Sequence, residues 1–102
     1  MVRENLAKVH SRAVEKMDEL KNMELIGQAG GGAVTAVASG LGELKSIRID
    51  REKLDPVDWD LLEDLIVVAV REALGKAEEE QRKAGEEVLK DFPLAGLLGL
   101  GR

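Results

Sequence analysis

Apolar residues recur at Val2, Leu6, Val9, Ala13, Met17 and Leu20, steps of four and three that lay one narrow stripe along a helix. The spacing predicts an α-helix from Val2 to about Met23. Its stripe is close to a heptad seam and suits packing against a partner helix, a second copy of the chain included. The period breaks at Gly27. Three β-like runs follow, ELIGQAG, AVTAVAS and ELKSIRID, separated by the short spacers GG and GLGE, which favour antiparallel hairpins over crossovers. In the third run Ile47 and Ile49 alternate with Ser46, Arg48 and Asp50, the pattern of a sheet with one dry and one wet face. A three-stranded meander is expected.

Residues 51–60 carry Pro56 and several Asp, and read as a loop ending in a helix cap, with Asp58 or Asp60 accepting from first-turn amides. A second helix is predicted from about Trp59 to near Leu89. Its first half, LLEDLIVVAVREAL, is apolar around much of its circumference, whereas its second half, GKAEEEQRKAGEEVLKD, is mostly charged. The first half is therefore expected to be buried on two sides and the second to project into water. The closing FPLAGLLGLGR alternates Leu with Gly, and because glycine raises the entropy cost of order it is expected to be either disordered or a docking strap. The chain divides into an α+β domain, 1–90, and a Gly/Leu-rich tail, 91–102.

A chain of 102 residues supports one small domain whose core is limited unless a second chain contributes. Trp59 and Phe92 are its only aromatic residues, so that core must be aliphatic. The absence of Cys removes disulfides, thiolate catalysis and sulfur-ligated metals. The N-terminal stretch lacks the apolar core of a signal peptide, and the longest apolar run, Leu65 to Val70, is too short for a bilayer; a cytoplasmic protein with no membrane partner is expected. The net charge of −5 has the wrong sign for an ordinary nucleic-acid binder, so any such role must rest on local charge.

Candidate chemistry is sparse. The glycine cluster GQAGGGAVTAVASG lacks the Lys and Ser/Thr of a Walker loop, because Ala33 and Val34 follow Gly32. It also fails as a dinucleotide fingerprint, with Thr35 where the third glycine belongs and a strand where a helix should open. The glycines are expected to permit a tight reversal or a close backbone approach. His10 is the lone imidazole, and neighbouring Ser11 projects about 100° away on the helix, so the two form no base–nucleophile pair. Asp50, Asp55, Asp58 and Asp60 lack calcium-loop spacing, and Glu78, Glu79 and Glu80 fan around their helix. No catalytic residue, metal ligand, cofactor or small-molecule substrate is expected.

The first helix is more informative, because Lys8, Arg12 and Lys16 are spaced by four and form a basic row beside the apolar stripe, with Arg3 and Lys21 nearer the opposite flank. Such a row can meet phosphates, although acidic neighbours balance it to zero. Lys76, Arg82 and Lys83 on the second helix are further candidates, outnumbered there by acids. Candidate contacts with a second copy are Leu6 and Val9 on the first stripe and Leu65, Ile66, Val67 and Val70 in the apolar half of the second helix.

Taken in order, Ala29 to Gly32 leading into a strand, Ile49–Asp50 ending the last strand, and LEDLIVVA from Leu62 to Ala69 opening a long helix resemble the YbaB/EbfC family of bacterial nucleoid-associated proteins. The first helix departs from that pattern, which is often rich in Met and Gln. Arg71 and Glu72 stand where an Asn-Asp pair is common, and Asp91, Phe92 and Pro93 stand near the usual place of Thr-Gly-Gly. The resemblance implies an α-β-β-β-α protomer, a homodimer with helices projecting like the arms of tweezers, and binding of duplex DNA that organises the nucleoid and influences transcription, without catalysis or a cofactor. With no obvious row of base-reading side chains, contact through the phosphate backbone is expected. The competing expectation is a homodimeric module that binds protein through an acidic helix surface or the Leu-rich tail.

Overall fold

The structure is a computed structural model that describes residues 2–90, with side chains from Leu6 onward. The tail 91–102 and the Arg3 side chain lie outside the described residues. Elements follow in the order α1 (Val2–Asn22), β1 (Leu25–Ala29), β2 (Val34–Ala38), β3 (Leu44–Ile49) and α2 (Trp59–Lys90). The strands form one antiparallel sheet in the order β1-β2-β3. This is the expected meander between two long helices.

Local chemistry accounts for the boundaries. Gly30, Gly31 and Gly32 all take positive φ in the β1–β2 reversal, a region where a side chain is strained. The turn closes through the Ala33 amide, which donates to the Gly30 carbonyl at 3.2 Å. Between β2 and β3, buried Ser39 accepts from the amides of Leu41 at 3.2 Å and Glu43 at 3.4 Å, so one hydroxyl shapes that turn. Asp58 caps α2, its Oδ1 accepting from the Leu61 amide at 3.1 Å. Of the two aspartates considered from sequence, Asp58 does the capping, and Asp60 lies in the first turn, where its charge suits the helix dipole.

The core is thin and built largely from small residues. Ala29, Ala33, Val34, Ala36 and Ala38 from the sheet side meet Leu54 and, from α2, Leu62, Ala69 and Ala73. Small side chains let α2 settle close onto β1 and β2. At Gly27 the approach is closest, since an added Cβ there would stand 2.1 Å from the Ala69 carbonyl oxygen and 2.5 Å from the Ala73 nitrogen. Gly40 makes a second close approach. Its amide donates to the Leu20 carbonyl at 2.7 Å, and its own carbonyl accepts from Gln81 Nε2 at 2.9 Å. One turn thereby joins the end of α1, the sheet and the middle of α2.

Three expectations need correction. Because α2 packs on β1 and β2 and barely touches β3, the isoleucine face of β3 is not covered by its own chain; Ile47 is 40% and Ile49 37% exposed. The first half of α2 is likewise buried on one side only, through Leu62, Ala69 and Ala73, while Leu61, Val67 and Val68 remain exposed. The second half of α2 does not project alone into water, because it packs along α1 and buries Ala77 and Val88.

Candidate nucleic-acid interface

α1 and the second half of α2 run side by side as a two-helix arm that gives the molecule extents of 65 × 25 × 16 Å. The arm has two unlike seams. One cleft is lined by Lys16, Glu19, Leu20, Met23, Glu80, Lys83, Ala84 and Glu87, and is largely charged. The other is a mainly apolar groove with Val9, Ala13, Met17 and Leu20 from α1 and Ala84, Gly85, Val88 and Leu89 from α2, and with Lys16 and Gln81 also in its lining.

Lys8, Arg12 and Lys16 occupy successive turns of α1 and so share one face, that of the charged seam. Lys16 is held across the seam, with Nζ 2.5 Å from Glu87 Oε2 and 3.2 Å from Glu19 Oε2. These carboxylates, Glu87 foremost, raise the Lys16 ammonium above its ordinary value. The Glu87 carboxyl is lowered in return, first by Lys16 and further by the charges of Arg12 and Lys90. Glu87 therefore sits among three cations. Lys90 belongs to this cluster although sequence reasoning did not select it; its position in the last turn of α2 was the one available sign.

The other candidates lie apart. Lys76 is at the sheet end of α2, donating to the Ile26 carbonyl at 2.5 Å and standing 3.5 Å from Glu72. Arg82 is clamped on the outer face of α2 by Glu79 and Glu86, which raises its pKa and lowers that of Glu79. Lys83 enters the charged seam with Lys16, 3.9 Å from Glu80. Four of the candidate cations thus already have internal counter-ions, whereas Lys8 is exposed with no ion pair among the described residues.

Of the candidate contacts with a second copy, Leu6 and Val9 lie in the outer half of the arm, Val9 lining the apolar groove. Leu65, Ile66 and Val70 pack partly against the core, Leu65 above the Gly30 turn, and Val67 is exposed. A larger apolar surface lies at the sheet end. There Ile47, Ile49, Leu54, Val57, Trp59 and Leu62 line a trough of about 790 Å³, rimmed by Arg51, Glu52 and Asp55. Trp59 and Leu62 begin a row that Ile66 and Val70 continue along α2 at helical spacing. Among the described residues, no cluster of three or more His, Cys, Asp or Glu is placed to hold a metal ion, and no helix is long and apolar enough to cross a membrane.

A three-stranded meander between two long helices, with a two-helix arm extending beyond the sheet, defines an α+β protein of α-β-β-β-α architecture. The chain belongs to the YbaB/EbfC DNA-binding family, whose model matches residues 2–92. A relative called a nucleoid-associated protein in Saccharopolyspora erythraea is 44% identical over 102 residues, covering 99% of this chain and 82% of its own. Another so named, from Lachnospira eligens, is 43% identical over 83 residues, covering 81% and 67%. The fold is shared with the crystal structure of an uncharacterized Helicobacter pylori protein, with TM-score 0.77 at 22% identity over 86% of this chain and 92% of that one.

Proposed function

We propose that this chain binds duplex DNA as a homodimer, mainly through the phosphate backbone with little sequence preference, and thereby organises the nucleoid and influences gene expression. Membership of a DNA-binding family supports the ligand. The observation that carries the mode of contact is the row Lys8, Arg12 and Lys16, joined across the seam by Lys90, in a chain whose net charge is −5. A dimer carries twice that charge and is repelled by DNA at long range, so contact depends on this local patch. Two arms presenting the same row engage one duplex from both sides. The trough beside β3 supports the second copy, because it leaves aliphatic residues and Trp59 exposed in a chain with a thin core.

Fluorescence anisotropy with two unrelated labelled duplexes across a salt series tests this reading. The parent is expected to bind both alike, with a log–log salt slope of roughly −0.9 per phosphate neutralised. Lys8, Arg12 and Lys16 all changed to Glu are expected to abolish binding while leaving the fold intact. Binding that ignores salt or survives the triple change refutes the basic-row mode. A folded dimer that does not bind at low salt favours the protein-binding module instead.

A further inference from the structure

The apolar groove of the arm is not explained by the proposed DNA-contact row, of which only Lys16 reaches its lining, nor by the trough, which lies at the other end of α2. Its volume is about 370 Å³, and its walls leave large apolar side chains bare, Met17 at 57% and Leu89 at 48% exposure. Gly85 interrupts the wall inside a helix, where glycine is less favourable than Ala. A Cβ placed on Gly85 would meet nothing within 4 Å, so no contact among the described residues requires the glycine.

We propose that the Leu-rich segment of this chain, Leu94 to Leu100, docks into this groove and splints α1 against α2. The groove's lower wall, Val88 and Leu89, is only two residues from Asp91, so the segment is tethered at the groove's mouth and its effective concentration is high. From Phe92 to Gly101 it carries no charge, in a chain that is 34% charged. Pro93 disfavours helical backbone at Phe92 and so favours a reversal just past α2.

The lengths agree. From Leu89 back to Gln81 the groove runs about 12 Å along α2, at ~1.5 Å per residue. Leu94 to Leu100 spans about 20 Å when extended, at ~3.3 Å per residue. The same segment is too short for its own trough. Leu62 lies about 42 Å from Lys90 along the helix, whereas Leu100 reaches at most about 35 Å from Lys90 with every residue stretched. Docking on the apolar seam does not cover Lys8 or Arg12, and Lys16, which lines both seams, is already paired with Glu19 and Glu87.

The chain has no cysteine, so paired cysteines give a clean test in the full-length protein. Met17→Cys with Leu97→Cys, oxidised at low micromolar concentration, is expected to give an intramolecular disulfide in most molecules. Glu15→Cys with Leu97→Cys, on the face of α1 away from the groove, is expected to give at least about tenfold less. Equal yields from the two pairs, or disulfide-linked dimers in place of the internal bond, overturn the proposal, the latter assigning the groove to a second copy. As a second measure, Leu97→Ser with Leu98→Ser is expected to speed amide exchange several-fold at residues 9–17 and 81–89. Unchanged exchange there refutes the splint. Neither readout involves DNA, so both remain decisive whatever the anisotropy shows.

Discussion

Gly27 and Gly31 sit four residues apart in one glycine-rich stretch, yet they serve different needs. A methyl at Gly27 would be driven into the backbone of α2 at Ala69 and Ala73, which cannot move aside as a flexible side chain can. Gly27→Ala is therefore expected to destabilise the fold by about 3 kcal/mol, at the upper end of overpacking costs. At Gly31 φ is 65° and a Cβ would meet nothing within 4 Å. Gly31→Ala is expected to cost only the left-handed strain, about 1 kcal/mol. Urea denaturation of the two variants checks the order, and equal losses contradict the packing explanation. The sequence marked Gly30 to Gly32 as a turn because a reversal is local chemistry. It offered a close backbone approach as the alternative for the same stretch but could not place it at Gly27 or Gly40, since the atoms they approach belong to residues 69–73 and to Leu20.

The helices were legible as elements because their spacing and caps are written within each one. The register between them was not, and it is what brings Lys16 of α1 to Glu87 of α2. A Glu87→Gln change reads this register out. Glu87 is depressed in the folded chain, so its stabilising contribution is present at neutral pH and is lost as pH falls through the folded value, which lies below its ordinary one. Lys16 is raised, so its half persists until strongly alkaline pH. Thermal melts are expected to show the parent slightly more stable than Glu87→Gln at neutral pH, with the two converging as the pH falls far enough to protonate Glu87 in the folded chain. A constant difference at all pH values would mean that the substitution acts through packing. The same change removes an internal competitor for phosphate. DNA affinity is expected to rise about threefold or more, with a salt slope steeper by up to roughly 0.9 if Lys16 gains one phosphate. Unaltered affinity would show that Lys16 remains held by Glu19 or does not reach DNA.

At the scale of the whole molecule, the half-finished core becomes an argument about assembly. The sequence indicated that so short a chain needs help, and it marked the apolar half of α2 as a surface with two sides. It could not show that β3 would be left beyond the edge of α2, because that depends on where the helix crosses the sheet. Among the described residues, Ile47 on the sheet and Val67 on the helix, 40% and 46% exposed, are available to a second copy without being central to the protomer's own core. Ile47→Thr keeps a β-branched strand residue and Val67→Gln keeps a good helix former, so each protomer is expected to fold. In a two-fold symmetric contact each change counts twice, and loss of four buried aliphatic groups weakens association by several kcal/mol. Sedimentation at micromolar concentration is expected to find the double variant monomeric and the parent dimeric. Neither substitution alters charge. If both arms of a dimer engage one duplex, the monomeric variant should retain the basic row but show about half the parent's salt slope, because half the phosphates are neutralised. A dimer that persists through both changes would move the interface away from β3, towards Leu6 and Val9 on the arm. A monomer with the parent's full slope would mean that one arm suffices for DNA and that pairing serves another purpose, such as bringing two duplexes together.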